Sequence, residues 1–258
     1  MQLLVDTHTH LYLTEFREDI DTVINNAIKV GVRYFLLPAI DSTHTDAMHA
    51  LEAAYPEKIF AMAGLHPCSV NDNVATELAH VQQLLKQHSY KAIGEIGLDH
   101  YWDTTYTTQQ EQAFEQQMEW ALTYNIPIVI HTRNAMQRTI DMVQPFARKG
   151  LQGIFHCFSG SYESAKQIID MNFLLGIGGV VTYKNAGLGA VLAKIGIEPL
   201  VLETDAPYLT PVPFRGKRNE PAYLSYVVAA IAQHTQVSEA IVAKVTTANA
   251  MKIFKLPQ

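Results

Sequence analysis

Short apolar runs alternate with longer amphipathic stretches along the whole chain, and this alternation restricts the fold more than any other feature. Eight runs rich in valine, isoleucine and leucine predict buried strands at residues 3–6, 33–38, 59–64, 92–96, 128–131, 153–156, 173–176 and 200–203. Between them, apolar residues recur at helical spacing, as at 19–30, 43–54, 74–88, 107–124, 135–145 and 162–171. Because parallel strands need cover on both faces, eight strand–helix units favour a closed (β/α)8 TIM barrel.

The length of 258 residues agrees with this fold, since one such barrel needs about 250 residues. No linker rich in glycine, serine or proline divides the chain, so we expect one domain over residues 1–258. The alternative arrangement of the same elements is an open, doubly wound sheet.

Composition and charge exclude several classes of protein. The longest apolar stretch, residues 173–181, is too short to span a bilayer, and residues 1–6 lack the pattern of a signal peptide. The two cysteines, Cys68 and Cys157, are too few for a disulfide framework, so we expect a cytoplasmic protein. The net charge of −6 argues against a protein that grips long duplex DNA through many phosphate contacts.

Histidines and carboxylates close five of the eight predicted strands. The carboxyl ends of barrel strands share one face, so these side chains should meet at one mouth. They are His8 and His10 after strand one, Glu95 in strand four, His131 after strand five, His156 after strand six and Asp205 after strand eight. The remaining histidines His44, His49, His80, His88 and His234 fall on predicted helices, and we give them no role; His66 and His100 follow strands three and four and are intermediate.

The spacing of His8 and His10 puts both imidazoles on one side of an extended backbone, where they can converge on a cation. The pair taken alone is equally compatible with a polar strand end that carries two exposed histidines. Six nitrogen and oxygen ligands exceed the need of one tetrahedral ion, and a carboxylate can bridge two ions. We therefore predict two metal ions, the first held by His8, His10, Glu95 and Asp205, and the second by Glu95, His131 and His156.

Such a pair of ions activates water for hydrolysis. Asp205, at the end of strand eight, is the predicted general base, and Glu95, as the bridge, completes the catalytic pair. Glu203 has two interpretations: it supports a ligating histidine from behind, or it completes a hydrogen-bond network at the strand end.

Five sequence blocks together resemble the TatD family of metal-dependent deoxyribonucleases. They are DTHTHL at 6–11, GLHP at 64–67, GEIGLD at 94–99, HCFSG at 156–160 and ETDAPYL at 203–209, and RGKRNEP at 215–221 is similar to an arginine-rich loop of that family. The resemblance spans nearly the whole chain and implies a divalent-metal hydrolase of the amidohydrolase-like barrel superfamily, with the same six ligands. The chain departs from the family pattern at His100, where a tyrosine is common. The presence of Glu95 on strand four also removes the need for the modified lysine of some binuclear relatives.

Substrate contacts are predicted from position and resemblance. Arg215 and Arg218 follow strand eight beside the mouth, Arg133 lies two residues past His131, and His66 closes strand three. Guanidinium groups suit phosphate recognition. Judged from composition alone, the 215–218 segment is a solvated surface loop.

Our main hypothesis is a DNase that trims single-stranded DNA ends, with the 3′ to 5′ polarity implied only by the resemblance. The alternative is hydrolysis of a carboxylic ester, lactone or amide, including deacylation of aminoacyl-tRNA; a third is a non-enzymatic protein whose metals serve structure or partner binding. The four imidazoles favour Zn²⁺, Mn²⁺, Co²⁺ or Ni²⁺ over Mg²⁺, although nucleases are commonly assayed with Mg²⁺. We expect a monomer with no obligate protein partner and no membrane association.

Overall fold

The computed structural model describes residues 3–257 and contains eight strands, each parallel to its neighbours. They pair in chain order, β1 to β3 in one set and β4 to β8 in a second. The strands are β1 Leu4–Asp6, β2 Val32–Leu37, β3 Ile59–Ala61, β4 Ile93–Asp99, β5 Ile128–Arg133, β6 Gly153–Phe155, β7 Leu174–Ile177 and β8 Leu200–Leu202.

Backbone hydrogen bonds join the two sets into a barrel. Between β3 and β4, Gly94 N donates to Ala63 O at 2.9 Å. At the other seam, Thr7 N donates to Leu202 O and Asp205 N donates to His8 O, both at 2.9 Å, so β8 is fastened to β1 at its carboxyl end. The predicted TIM barrel is therefore confirmed, and the open doubly wound sheet is not the arrangement adopted.

The helices surround the strands. Among the described residues, six helices agree closely with the segments predicted from periodicity, and the last three helices were not among those segments. The helices are α1 Ile20–Lys29, α2 Thr45–Ala54, α3 Val74–Gln87, α4 Thr107–Tyr124, α5 Met136–Arg148, α6 Tyr162–Asp170, α7 Leu188–Ile195, α8 Leu224–Thr235 and α9 Glu239–Ile253. Helix α5 was predicted to stop at Pro145, but it continues to Arg148. A proline in the last turn removes only one intrahelical donor, so the helix can run past it.

Two hydrophobic clusters separate the inside of the barrel from its outer layer. Alternate strand residues such as Val5, Val129, Ile154 and Val201 form the inner cluster, and their neighbours face the helices. The C-terminal end of α9 packs against the inner cluster through Ala250, and Phe254, the residue that follows the helix, does the same. Because α9 covers one end of the barrel, the carboxyl ends of the strands form the open face, where the predicted site residues lie.

None of the helices within residues 3–257 combines the length and the apolar character that crossing a bilayer requires.

Candidate metal centre

Glu95 lies at the centre of a cluster of imidazoles, and each of its carboxylate oxygens faces a different part of that cluster. Oε2 lies 3.0 Å from His8 Nε2 and 3.7 Å from His10 Nε2. Oε1 lies 2.8 Å from His131 Nδ1 and 2.9 Å from His156 Nε2. The carboxylate is buried. This arrangement is suited to a group shared between two cations, one on each oxygen.

Asp205 completes the side of the cluster that contains His8 and His10. Its Oδ1 lies 3.6 Å from the Nε2 atoms of both histidines. Asp205 has a positive φ of 56°, a conformation that non-glycine residues seldom adopt, and the bond from its N–H to His8 O holds it there. The left-handed turn after β8 thus brings the carboxylate to the mouth.

Strand alternation explains why His131 and His156 point inward. Val129 and Ile154 belong to the inner cluster, and each histidine lies two residues further along the same strand direction. Glu95 reaches the mouth differently, because the β4–β5 register shifts between Ile93 and Ile96.

Tyr12 and Asp99, which are not among the predicted site residues, determine which ring nitrogen of two histidines faces the centre. Tyr12 Oη donates to Pro38 O at 2.6 Å, so it can only accept from His10 Nδ1, 2.9 Å away. The proton of neutral His10 is then on Nδ1, and the Nε2 lone pair faces the carboxylates. His131 is fixed in the opposite sense: its Nε2 lies 2.9 Å from Asp99 Oδ2, so Nδ1 is left for the centre.

Tyr12 and Asp99 were missed by the sequence reasoning. A signal was available for each, since Tyr12 continues the alternation of His8 and His10, and Asp99 ends the GEIGLD block. Outer partners of this kind orient metal-ligating histidines and raise their basicity.

Glu203 lies beside His156, and its contacts are compatible with both of its interpretations. Its Oε1 is 3.4 Å from His156 Nδ1 and accepts a short hydrogen bond from Cys157 N. A glycine at position 176 makes room, because a Cβ there would overlap the Glu203 carboxylate. The role of Glu203 as a support for a ligand stays a prediction.

The electrostatics keep the two central carboxylates ionised. Burial raises the pKa of Glu95, but the surrounding imidazoles outweigh burial and hold the pKa of Glu95 well below its ordinary value. The same balance lowers the pKa of Asp205. Burial and the nearby His156 lower the pKa of His8, which favours the neutral ring that a metal ion requires.

The donor set fits divalent cations. Among the described residues, His8 Nδ1, His8 Nε2 and His156 Nδ1 are buried without a hydrogen-bond partner of good geometry. Buried polar atoms left in this state are costly, and a cation beside Glu95 would satisfy His8 Nε2, which faces that carboxylate at 3.0 Å. Within residues 3–257, three sets of side chains are close enough to share an ion: His8, His156 and Asp205; His8, His10 and Glu95; and His66, Glu95 and His131.

Comparison with known proteins agrees with this geometry. A family model described as "TatD related DNase" matches residues 5–255. The chain belongs to the TatD family. As a member of it, the chain is a metal-dependent hydrolase.

Relatives of this TatD family member cover nearly its full length. It is 38% identical over 256 residues to a Bacillus subtilis (strain 168) protein named "Uncharacterized metal-dependent hydrolase YabD", covering 98% of this chain and 100% of the relative. It is 31% identical over 259 residues to the "3'-5' ssDNA/RNA exonuclease TatD" of Yersinia pseudotuberculosis serotype O:3 (strain YPIII), covering 98% and 100%. The crystal structure of the TatD homologue YJJV from Escherichia coli K12 superimposes with a TM-score of 0.93 at 27% identity, covering 98% of each chain.

His66, predicted to contact substrate, borders the centre with its Nε2 3.3 Å from Glu95 Oε1. Proximity alone would also allow it to bind a metal ion. However, Cys68 N donates to His66 Nδ1 at 3.0 Å, so the proton of the neutral ring is on Nε2. We therefore interpret His66 as a hydrogen-bond donor at the edge of the centre and not as a ligand.

The three predicted arginines have different surroundings. Arg133 and Arg215 are exposed, and their guanidinium carbons lie 3.8 Å from the centroid of Tyr101 and 4.1 Å from that of Tyr183, respectively. Arg218 is instead engaged by protein carboxylates. It forms a two-pronged pair with Asp19, at 2.9 and 2.6 Å.

The predicted substrate contact of Arg218 stays a prediction, and these protein contacts compete with it. The same guanidinium also donates to Glu220 Oε1 at 3.0 Å and to Glu15 O. With these partners it ties the loop after β8 to the segment before α1, and both terminal nitrogens of its guanidinium are engaged by the protein. Sequence reasoning could not foresee this, because Asp19 is almost two hundred positions away.

The histidines that received no role do not surround Glu95, although the ring centroid of His44 lies 6.1 Å from that of Tyr12. Their partners are local or belong to the helical layer: His44 with Asp41, His49 with Tyr90, His80 with Thr45, and His88 with Glu52. His234 packs on Gly189. His100 is partly buried, and among the described residues its Nε2 has no hydrogen-bond partner.

Proposed function

We propose that this chain removes nucleotides from the end of single-stranded nucleic acid by hydrolysing phosphodiester bonds, with two divalent ions at the centre. The observation that supports two ions is Glu95, whose two oxygens are approached by different histidines at 3.0 Å and 2.8 Å. His8, His10 and Asp205 would hold one ion, His131 and His156 the other, and Glu95 both. Bound there, divalent ions supply an activated water and offset the charge of a phosphodiester.

Asp205 would act as the general base. Its carboxylate is ionised, because the imidazoles that surround it lower its pKa despite burial. It is also more exposed than Glu95, at 14% against 3% for the side chains, so it can reach a water molecule and a substrate from the solvent side. His66 Nε2, which lies 3.3 Å from Glu95 Oε1, would donate to a substrate oxygen bound beside that carboxylate.

The nature of the substrate is supported by three findings. The Yersinia relative is named an exonuclease acting on ssDNA and RNA. Exposed Arg133 and Arg215 can meet phosphates near the mouth. The net charge of −6 disfavours a long contact with duplex DNA, whereas a strand end requires only local contacts.

The test loads the purified protein with Zn²⁺, Mn²⁺, Co²⁺, Ni²⁺ or Mg²⁺ in turn. Each form is offered 5′-labelled single-stranded DNA, single-stranded RNA, duplex DNA and a panel of carboxylic esters. We expect stepwise shortening of the single strands and little action on the duplex. Asp205→Asn should lower the rate by about 10²-fold or more, because it removes a general base. Asp141→Asn, on the exposed side of α5, is the matched control and should cut normally.

Two outcomes would reject the proposal. One is the failure of every metal to support shortening of DNA or RNA. The other is cleavage of the esters alone, which would support the ester hydrolase alternative.

A further inference from the structure

The loop after β4 exposes two adjacent aromatic side chains. Trp102 is 68% accessible, the highest value among the exposed large apolar side chains of the described residues, and Tyr101 is 51% accessible. Their rings are perpendicular, with centroids 4.9 Å apart. Two adjacent aromatic side chains that are more than half exposed offer apolar surface that a bound ligand could cover.

One carboxylate holds both this pair and a ligand histidine. Asp99 Oδ1 accepts from Tyr101 N at 2.9 Å and from Trp102 N at 3.0 Å. Its other oxygen lies 2.9 Å from His131 Nε2. The backbone of the aromatic pair is therefore fixed at a short distance from the metal centre and is coupled to it through a single side chain.

Arg133 adds a cation to the pair. Its guanidinium carbon lies 3.8 Å from the Tyr101 centroid and 5.1 Å from the Trp102 centroid. It follows His131 by two residues at the end of β5. Rings beside a guanidinium match the two parts of a nucleotide, a flat base and an anionic phosphate.

We propose that Tyr101, Trp102 and Arg133 form a stacking site for a nucleobase of single-stranded nucleic acid, next to the bond that is cut. This inference rests on the proposed function and specifies the part of the substrate that is recognised. Bases of a duplex are already stacked on each other, so only an unpaired base offers a free face to Trp102. Stacking depends on the π-face that all bases share, so the site should accept any base sequence.

Direct binding is tested by tryptophan fluorescence. The chain has two tryptophans, Trp102 and Trp120, so Trp120→Phe leaves Trp102 as the only reporter. The metal-loaded variant is titrated with a phosphorothioate-linked thymidylate oligomer, which resists cleavage, and with an abasic oligomer of the same length and charge. We expect saturable quenching by thymidylate, and binding of the abasic oligomer that is about 5- to 100-fold weaker.

The corresponding kinetic test compares Trp102→Ala with Tyr124→Ala, which removes an exposed aromatic from the end of α4. On oligothymidylate, Trp102→Ala should lower kcat/KM by about 5- to 100-fold, mainly through KM, while Tyr124→Ala should be unchanged. On an oligomer that is abasic near the cleaved end, Trp102→Ala and the unmodified protein should be equal. Thermal unfolding by circular dichroism checks that both variants are folded.

The outcomes separate this inference from the proposed function. Equal quenching by the thymidylate and abasic oligomers, or no quenching by either, overturns the stacking site even if the protein trims DNA. Base-dependent quenching without any cleavage supports the stacking site and rejects the nuclease function.

Discussion

Tyr12→Phe tests whether a single hydroxyl determines how His10 is presented to the metal centre. Tyr12 Oη donates to Pro38 O at 2.6 Å and accepts from His10 Nδ1 at 2.9 Å. Burial and the neighbouring carboxylates raise the pKa of Tyr12 well above its ordinary value, so the hydroxyl keeps its proton. The substitution leaves the ring in place and removes both hydrogen bonds.

The magnitude follows from the two groups left behind. A donor and an acceptor that lose their partner cost about 1–3 kcal/mol each when fully buried. Because this site is only partly buried, we expect the free energy of unfolding to fall by about 1–2 kcal/mol in total. Removal of the partner of a metal-ligating histidine typically weakens metal binding by about 10- to 100-fold.

The assay is competition for Zn²⁺ or Co²⁺ against a chromogenic chelator, which resolves two binding steps. The step assigned to His8, His10 and Asp205 should weaken by about 10- to 100-fold, while the other changes by less than about 3-fold. Tyr55→Phe is the matched control, because it removes a hydroxyl that donates to Asp21 on the exposed surface. If Tyr12→Phe binds both ions as tightly as the unmodified protein, the argument from ring tautomers is wrong.

Three further changes test other parts of the structure. Asp99→Asn keeps the size of the side chain, but its single oxygen is needed by the N–H groups of Tyr101 and Trp102, so its NH2 group would face the protonated His131 Nε2. It should weaken the second metal-binding step by about 10-fold in the same competition, and an unchanged step would show that Asp99 does not orient His131. Gly176→Ala places a methyl group against the Glu203 carboxylate and should lower the free energy of unfolding in urea by about 1–3 kcal/mol, so an unchanged midpoint would contradict this packing. Hydrogen bonds from Arg138 lower the pKa of Glu111 in the folded protein. The ion pair therefore adds to the free energy of unfolding above the unfolded-state pKa of Glu111, and this contribution is lost as the pH falls through the folded-state pKa. Because this pair is solvent-exposed, Arg138→Ala should cost less than about 1 kcal/mol near pH 7 and progressively less as the pH falls through the folded-state pKa of Glu111. A cost that does not change as Glu111 is protonated would reject the ion pair.

The strand and helix periods in the sequence determined most of the fold and much of the site. His131 follows Val129 by two residues, and His156 follows Ile154 by two. Because Val129 and Ile154 belong to the inner cluster, the period-two alternation of a strand directs both histidines toward the barrel axis. The common mouth then follows from the parallel order of the strands. These features are local in sequence, and a pattern of apolar residues is enough to reveal them.

Other features were decided only by the tertiary structure, because they depend on contacts between distant residues. The choice of nitrogen in His10 depends on Tyr12 and, through it, on the carbonyl of Pro38. The partner of Arg218 is Asp19, whose two carboxylate oxygens accept hydrogen bonds from the guanidinium at 2.9 and 2.6 Å. These are N–H donors that the sequence suggested for a phosphate. Residue types and their period reveal which side chains reach the mouth, whereas hydrogen-bond partners decide which atoms of those side chains are free to act.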